Sequence, residues 1–367
     1  MSNVHRVRAL QGREKRMGKL SAACVGAAVL CIVALASLLG GGRTISARVR
    51  NGQLTAMPRQ VPTASSSLPT FVVVCGHGET DTVTEMQPLL KSMVLLASRP
   101  FRILFVTDPE GAARIENEIV PKLVGRKTHI ANIQVRIVSS FQEAEAYAAK
   151  IKLELYKSHH SGAFGMLKLF LPFMLHDHDD IVIVDTDMVF LQDPILLWDE
   201  FEKFDNDQLY AMPLHAFNNS GNMCACVALY RTKLIRAVYN RLEAMFLEAL
   251  EADPSYWHEQ TGKYRPKHSD QSLYYYLFKK HRGLVLDLDA KWNRDRCHHF
   301  YGAFDKTEEV EAGILHSNCG YLSQPWEESP GYVFFEMYKR YRYSWLPRDE
   351  NASFSFQVEN STWIVAN

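Results

Sequence analysis

Short runs rich in Val and Ile recur along the chain, and segments with helical periodicity separate the early ones. The runs are FVVVC (71–75), RILFVT (102–107), IQVRIV (133–138), IVIV (181–184), MCACVALY (223–230) and LVLDL (284–288). Apolar positions within 83–97, 115–123 and 144–155 follow the helical period. Strands that alternate with helices form parallel crossover units, and continuous apolar runs are typical of strands covered on both faces. The sequence therefore predicts an α/β domain with a mostly parallel sheet and flanking helices.

The overall charge bears on the class of partner. The chain has 367 residues and a formal net charge of zero. Proteins that bind nucleic acid usually carry a basic excess. The composition therefore argues against nucleic acid as a partner.

Residues 20–39, LSAACVGAAVLCIVALASLL, form an uncharged apolar segment. A helix of this length spans about 30 Å, enough to cross the core of a bilayer. Six basic residues precede the segment and four follow it by residue 59, which favours a cytosolic N terminus. A cleaved signal peptide is the alternative, but its apolar region is usually only about 7–15 residues long. We expect a signal anchor at 20–39 behind a cytosolic tail at 1–19.

The rest of the chain is then expected in the lumen of the secretory pathway, as in a single-pass type II protein of the ER or Golgi membrane. Residues 43–68 are rich in Arg, Ser, Thr and Pro and are interpreted as a stem. We predict a catalytic domain at 69–345 and a C-terminal tail at 346–367. Three N-glycosylation sequons, beginning at Asn218, Asn351 and Asn360, agree with a luminal location.

Four cysteines and one charged segment receive structural interpretations. Cys297 and Cys319 are the cysteines expected to form a disulfide in an oxidising lumen. Cys224 and Cys226 lie in an apolar run and are interpreted as small buried side chains. The charged segment HDHDD (176–180) is interpreted as a solvated loop between a helix and a strand.

Asp185 and Asp187 follow the run IVIV directly, with one residue between them. Residues two apart on an extended chain face the same side, and ligands of such sheets bind at the carboxyl ends of the strands. Mn²⁺ and Mg²⁺ prefer carboxylate oxygens, completed by water and substrate phosphates. The pair therefore predicts a site for a metal and a diphosphate.

Two alternatives to this site remain open. In the first, the two acids only face solvent in a turn, although apolar residues on both sides argue against it. In the second, the protein is a phosphatase of the haloacid-dehalogenase type with Asp185 as nucleophile and Asp187 as acid and base. That motif ends the first core strand, whereas at least three candidate strands precede Asp185 here.

Further motifs surround the aspartate pair in a fixed order. They are GMLKLFLPFML (165–175), NNSGNMCACVALY (218–230), HSDQSLYYYLF (268–278), AKWNRDRC (290–297) and GILHSNCGYL (313–322). Over roughly residues 70–325, this series resembles the family 8 glycosyltransferases and is most similar to the glucoside xylosyltransferases. Those anchored enzymes of the secretory pathway transfer xylose from UDP-xylose to O-linked glucose on EGF-like repeats. The resemblance implies a GT-A-like nucleotide-sugar fold, retention of the anomeric configuration, an α-1,3 linkage and Mn²⁺.

The resemblance also assigns roles to residues around the reacting groups. The implied metal ligands are Asp185, Asp187 and His316. Asp270 and Gln271 are expected to face the anomeric carbon as the catalytic pair, holding sugar hydroxyls and stabilising oxocarbenium charge. Whether either residue is a nucleophile stays open, because a front-face mechanism needs none.

The remaining site residues are expected to bind the two substrates. Lys168 supplies a cation near the donor, and the turn of Asn219, Ser220 and Gly221 hydrogen-bonds the donor sugar. The substrate-binding set is completed by Cys75, Gly76 and His77 near the uridine, by Trp292 and Asn293 of the W-N motif, and by Gly320 in the last motif. Trp292 is expected either to shape the acceptor side or to belong to the core. The expected partners are UDP-xylose, an O-glucosylated EGF-repeat glycoprotein and the membrane. A non-catalytic scaffold that binds UDP-sugar is the last alternative.

Overall fold

The computed structural model describes residues 68–76, 82–138, 162–213, 225–251, 270–295, 312–317, 336–349, 352 and 354–360. The chain divides into the units Met1–Val61 and Pro62–Asn367, and every described residue belongs to the second. The predicted tail, the predicted anchor and the stem up to residue 67 lie outside the described residues. Within the described ranges, no helix combines the length and the apolar character needed to cross a membrane.

The strands of the described residues form two sheets. They are β1 (Thr70–Val74), β2 (Phe101–Thr107), β3 (Ile130–Ile137), β4 (Ile181–Val184), β5 (Met188–Phe190), β6 (Tyr210–Pro213), β7 (Val227–Tyr230), β8 (Val285–Leu288), β9 (Arg294–Asp295), β10 (Ile314–His316) and β11 (Ser355–Asn360). The main sheet has the order β11-β3-β2-β1-β4-β7-β6-β8, and the second has the order β5-β10-β9. In the main sheet only β7 runs antiparallel to its neighbours, β4 and β6. The prediction of a mostly parallel sheet is confirmed.

The described helices flank this sheet. They are α1 (Thr82–Glu85), α2 (Gln87–Leu96), α3 (Pro109–Arg114), α4 (Val120–Leu123), α5 (Gly162–Leu167), α6 (Leu171–Met174), α7 (Pro194–Trp198), α8 (Thr232–Ala237), α9 (Tyr239–Glu251) and α10 (Asp270–Lys280). A π-helical turn, Ile115–Ile119, joins α3 to α4, and a 3₁₀ turn, Lys168–Phe170, joins α5 to α6. Other 3₁₀ turns are Asp199–Lys203, Arg282–Leu284, Ala290–Asn293 and Tyr343–Trp345. The helix predicted within 144–155 lies outside the described residues.

The central strands are apolar throughout because helices cover both faces of the sheet. In β1, Phe71 and Val73 pack into one buried cluster, which includes residues of α2. Val72 points to the opposite face and packs into a second cluster, which includes residues of α5 and α6. This arrangement explains why these strands read as continuous Val and Ile runs rather than as an alternation.

The chain beyond residue 345 is not a separate tail as predicted. Strand β11 extends the main sheet by pairing in parallel with β3, from Ser355 opposite Asn132 to Asn360 opposite Ile137. Side chains add to this pairing, since Gln134 Nε2 donates to Gln357 Oε1 at 3.0 Å. The domain boundary drawn at residue 345 is therefore wrong, and the sheet includes Ser355–Asn360.

The interpretation of HDHDD (176–180) as a solvated loop is also wrong for its central residue. His178 is only 5% exposed. Its Nε2 lies 3.2 Å from Gln134 Oε1, and its Nδ1 lies 3.1 Å from Arg102 Nη1. Burial and the nearby arginines lower the pKa of His178 to about 4, against the opposing effect of Asp177. His178 is therefore a neutral structural residue that links the segment before β4 to β2 and β3.

Candidate active site

The two aspartates lie at the carboxyl end of β4, as the sequence predicted. Strand β4 pairs in parallel with β1, so the carboxyl ends of both strands meet at one edge of the sheet. Cys75 and Gly76 directly follow β1 at this edge. The backbone N–H of Asp185 donates to the carbonyl of Cys226 at 3.0 Å, which ties the first aspartate to the start of β7. The sheet thus positions the aspartate pair where ligands of α/β sheets bind.

The second sheet brings His316 to the aspartates. Strand β10 pairs antiparallel with β5, which follows Asp187, and His316 lies opposite Met188. Just beyond, the backbone N–H of Ser317 donates to the carbonyl of Asp187 at 2.8 Å. The imidazole is buried, and its Nε2 lies 3.2 Å from Asp187 Oδ1.

Asn293 orients the His316 ring. Its Oδ1 lies 3.0 Å from His316 Nδ1, which therefore carries a proton and donates it. Nε2 then presents to Asp187 either a second proton or, in the neutral ring, a lone pair. The lone pair of Nε2 and the carboxylate of Asp187 repel each other unless a cation lies between them. Together with the oxygen ligands of Asp185 and Asp187, this geometry fits a divalent metal, and the hydrogen bond from Nδ1 is of the kind that orients metal-binding histidines.

Cys226 lies beside this cluster but cannot act as a thiolate ligand. One ligand atom each of Asp185, Cys226 and His316 lies within 4.8 Å of the others. Cys226, however, is disulfide-bonded, so its sulfur carries no negative charge. Cys226 is buried, as interpreted from the sequence, but its disulfide was not predicted. The predicted pair, Cys297 and Cys319, lies outside the described residues.

Lys168 neutralises the first aspartate. Its ammonium group lies 2.5 Å from Asp185 Oδ1 and also donates to the carbonyl of Ala225 at 3.3 Å. Burial by itself would lower the pKa of Lys168, but Asp185 and Asp270 raise it above its usual value. Lys168 is thus held as a cation beside the aspartate pair. A direct contact with the donor stays a prediction.

Glu85, which the sequence did not point to, also faces the pair. Its Oε2 accepts a hydrogen bond from Thr186 Oγ1 at 2.9 Å, between the two aspartates. Burial and the charge of Asp187 raise the pKa of Glu85, and burial likewise raises that of Asp185. In contrast, Asp187 is buried but His316 holds its pKa below the usual value. Three acidic groups in one partly buried cluster favour the binding of a cation.

The predicted catalytic pair begins α10 next to this cluster. Asp270 is only 3% exposed, and its carboxylate accepts a hydrogen bond from the backbone N–H of Gln271 at 2.8 Å. Asp270 is close enough to Lys168 to raise its pKa. Gln271 Nε2 lies 3.8 Å from Cys226 Sγ. The fold therefore brings both residues to the site, while their catalytic roles stay predictions.

Trp292 is a core residue rather than part of the acceptor surface. Its side chain is completely buried, and its indole N–H donates to Glu200 Oε1 at 3.2 Å. A side chain in this position is closed off from a substrate. Asn293, predicted to bind substrate, contacts His316 Nδ1 through its Oδ1. The described contacts of the W-N pair are with Glu200 in the core and with His316 beside the aspartates.

Of the residues predicted near the uridine, Cys75 and Gly76 lie within the described ranges. Cys75 is buried, and its backbone N–H donates to the carbonyl of Val106 at 2.9 Å, so this donor is used within the sheet. Burial raises the pKa of the Cys75 thiol to about 12, which makes it unreactive. The carbonyl of Gly76 accepts a hydrogen bond from Thr82 Oγ1 at 2.8 Å. The predicted substrate-binding residues His77, Asn219, Ser220, Gly221 and Gly320 lie outside the described residues.

Comparison with known proteins bears on this geometry. The chain is 27% identical over 295 residues to glucoside xylosyltransferase 2 of Xenopus laevis, which covers 74% of the chain and 64% of that relative. It is 24% identical over 280 residues to xylosyl- and glucuronyltransferase LARGE2s of Gallus gallus, covering 72% of the chain and 35% of the relative. The chain is homologous to xylosyltransferases. It spans less than two thirds of the length of these relatives, and no family model matches it.

The fold itself has a solved counterpart. The structure of mouse xyloside xylosyltransferase 1 superposes with a TM-score of 0.52 at 15% identity, covering 69% of this chain and 98% of that one. The GT-A-like fold with a large, mostly parallel sheet is therefore confirmed. The relatives at this level of similarity are glycosyltransferases, and the transfer activity of this chain stays a prediction. Membership of family 8 stays a prediction.

The phosphatase alternative finds no support in this fold. It requires the motif with Asp185 to end the first core strand, whereas β4 follows β1, β2 and β3 in the chain.

The Lys168–Asp185 ion pair leads to a prediction about stability. Lys168→Met leaves a largely buried carboxylate without its cation, which costs about 3 kcal/mol. We expect the metal-free protein, in detergent, to unfold at a midpoint about 5 °C lower. As a matched control, Lys233→Met removes an exposed pair with Asp179 at 3.6 Å and should change stability by less than about 0.5 kcal/mol. Equal midpoints for the two variants would contradict the structural role of Lys168.

Proposed function

We propose that this protein is a retaining, metal-dependent glycosyltransferase that transfers xylose from UDP-xylose to O-linked glucose on EGF-like repeats, in α-1,3 linkage. The observation that carries the proposal is the cluster of Asp185, Asp187 and an imidazole, His316, that Asn293 orients toward them. Homology to a glucoside xylosyltransferase over 295 residues supports the choice of donor and acceptor.

The described residues divide the work of binding the donor. Asp185, Asp187 and His316 would hold the metal, for which we propose Mn²⁺ because it accepts both carboxylate and imidazole ligands. When bound, such an ion neutralises the diphosphate and stabilises the charge of the leaving group. Lys168 fixes the Asp185 carboxylate from the side of α5 and α6, and Asn293 fixes the His316 ring, so the site is preorganised before the donor arrives.

Asp270 and Gln271 would act on the sugar rather than on the diphosphate. From the start of α10, they would hold hydroxyl groups of the sugar and stabilise positive charge as the bond to the diphosphate lengthens. In a front-face reaction the departing phosphate accepts the proton of the acceptor hydroxyl, so no protein nucleophile is required. We further propose that the protein acts in the lumen of the ER or Golgi, held by the segment 20–39.

The first test follows UDP release by the full chain, purified in a non-ionic detergent. We expect release from UDP-xylose with Mn²⁺, stimulation by O-glucosylated EGF repeats, and none with EDTA. UDP-glucose carries one more hydroxymethyl group, and its release should be at least about tenfold slower. No release from any UDP-sugar, with acceptor present, would overturn the transferase in favour of a scaffold that only binds. Hydrolysis of aryl phosphates with Mg²⁺ would instead revive the phosphatase.

A further inference from the structure

A basic groove lies apart from the aspartate cluster. It is formed by the start of α2, the end of α4 with the turn after it, and the chain from residue 339 to Trp345, and it encloses about 870 Å³. Six basic residues line it, and no acidic residue does so in the part of the chain that the structure describes. The basic residues are Lys91, Lys122, Arg126, Lys339, Arg340 and Arg342.

The floor of the basic groove holds a lysine without an acidic partner and a tyrosine hydroxyl without a hydrogen-bond partner among the described residues. Lys91 is 8% exposed, and its ammonium group contacts the carbonyl of Lys339, at 3.0 Å, and the ring of Tyr343, at 5.7 Å from the centroid. Burial and the charge of Lys122 lower the pKa of Lys91 to about 8. Tyr343 is 4% exposed, and its hydroxyl has no hydrogen-bond partner among the described residues. Buried groups of this kind normally have partners, so the floor is suited to an anionic ligand.

The rim of the basic groove keeps an excess of positive charge. Glu336 offsets two of the cations, since its carboxylate lies 3.5 Å from Lys339 and 3.1 Å from Arg340. Arg126 donates to two backbone carbonyls rather than to an acid. Among the described residues, neither Lys122 nor Arg342 has an ion-pair partner. A ligand with several negative charges would therefore be attracted.

Aromatic rings alternate with these cations. Trp345 is 56% exposed, and the edge contact with Tyr341, at 5.4 Å between ring centroids, holds its ring in place. A flat exposed ring of this kind can pack against the apolar C–H face of a sugar. We propose that the basic groove is a second carbohydrate site, which binds a polyanionic glycan bearing carboxylate or sulfate groups.

The shape and composition of the groove favour a glycan over other anions. A bilayer surface would touch the rim but could not reach Lys91 and Tyr343 on the floor. An acidic peptide offers charge but no sugar face for Trp345. Gln87 lines one end of the groove. Two residues earlier in the chain, Glu85 accepts a hydrogen bond from Thr186, which lies between the aspartates. The site is distinct from the donor site and does not depend on the proposed transfer reaction.

The test measures, by calorimetry, the direct binding of a heparin octasaccharide to the full chain in non-ionic detergent. Lys122→Glu with Arg342→Glu places like charges on the rim and should weaken binding by about tenfold or more. The matched control is Lys233→Glu with Lys279→Glu, at two exposed positions outside the groove, which makes the same change in net charge. The control should retain the wild-type affinity, and Trp345→Ala should weaken heparin binding about threefold or more.

Three further outcomes decide against the proposal. Equal losses in the groove variant and the control would mean that heparin senses only overall charge. Tighter binding of an octaglutamate peptide than of heparin, unchanged by Trp345→Ala, would assign the groove to an acidic peptide. Binding to mixed micelles with phosphatidylserine but not to heparin would assign it to a membrane surface. Because UDP release is measured separately, failure here leaves the proposed transferase activity intact.

Discussion

Asp187→Asn is expected to lower the rate of UDP release from UDP-xylose by at least about a thousandfold while the fold is kept. Asparagine has the size of aspartate, so packing around β5 is preserved. It lacks the negative charge that faces His316 Nε2 at 3.2 Å, and both a proposed metal ligand and the partner of the imidazole are lost. The loss should appear in kcat as well as in KM, because the interaction is strongest as the diphosphate leaves.

Thermal unfolding separates a loss of metal binding from a loss of fold. Mn²⁺ at a hundred times its dissociation constant stabilises a binding protein by about 2.7 kcal/mol, and we expect this shift in the wild type but not in Asp187→Asn. The matched control is Asp199→Asn, which removes an exposed ion pair with Arg99 outside the site. It should leave both rate and Mn²⁺ shift unchanged. A full Mn²⁺ shift in Asp187→Asn would remove Asp187 from the set of metal ligands.

The parts of the fold that sequence could predict are those with local causes. The run IVIV is confirmed as β4 with unchanged bounds, because a strand covered on both faces must be apolar at every position. β11 was missed although Phe356 and Val358 alternate with polar residues. Its short period-two pattern is weak beside the Pro and sequon residues around it, and its place depends on polar partners in β3 such as Gln134.

The site shows the same division between local and distant causes. The aspartate pair could be placed from residues 181–187 alone. Its meeting with His316 depends on β5 and β10, two strands of three residues that lie far apart in the chain, and only the order of motifs indicated it. The sequence left Trp292 open between the acceptor side and the core, because tryptophan suits both binding surfaces and cores. Its burial is set by contacts with Glu200 and Gly313 that no spacing in the sequence reveals.

Gly313→Ala is expected to destabilise the protein by about 3 kcal/mol, through the same tryptophan. A Cβ atom at position 313 would lie 2.6 Å from Cε3 and 2.7 Å from Cζ3 of Trp292. The ring cannot easily yield, since it is completely buried and its N–H is bonded to Glu200. The backbone is held too, because Gly313 N–H donates to the carbonyl of Lys291 at 2.8 Å.

The strain should reach the proposed metal site as well as the core. Gly313 directly precedes β10, which carries His316, and Trp292 directly precedes Asn293, which orients that histidine. We therefore expect Gly313→Ala to lower both the unfolding midpoint and the affinity for Mn²⁺. Gly283→Ala is the matched control: a Cβ there meets nothing within 4 Å, so neither quantity should change appreciably.

The double variant of Gly313→Ala with Trp292→Phe tests the cause, because a smaller ring frees the space that the methyl group needs. If the two changes are simply additive, the clash is not the source of the instability. If the double variant is about as stable as Trp292→Phe alone, the glycine is required by the ring, and through the ring by the histidine that faces Asp187.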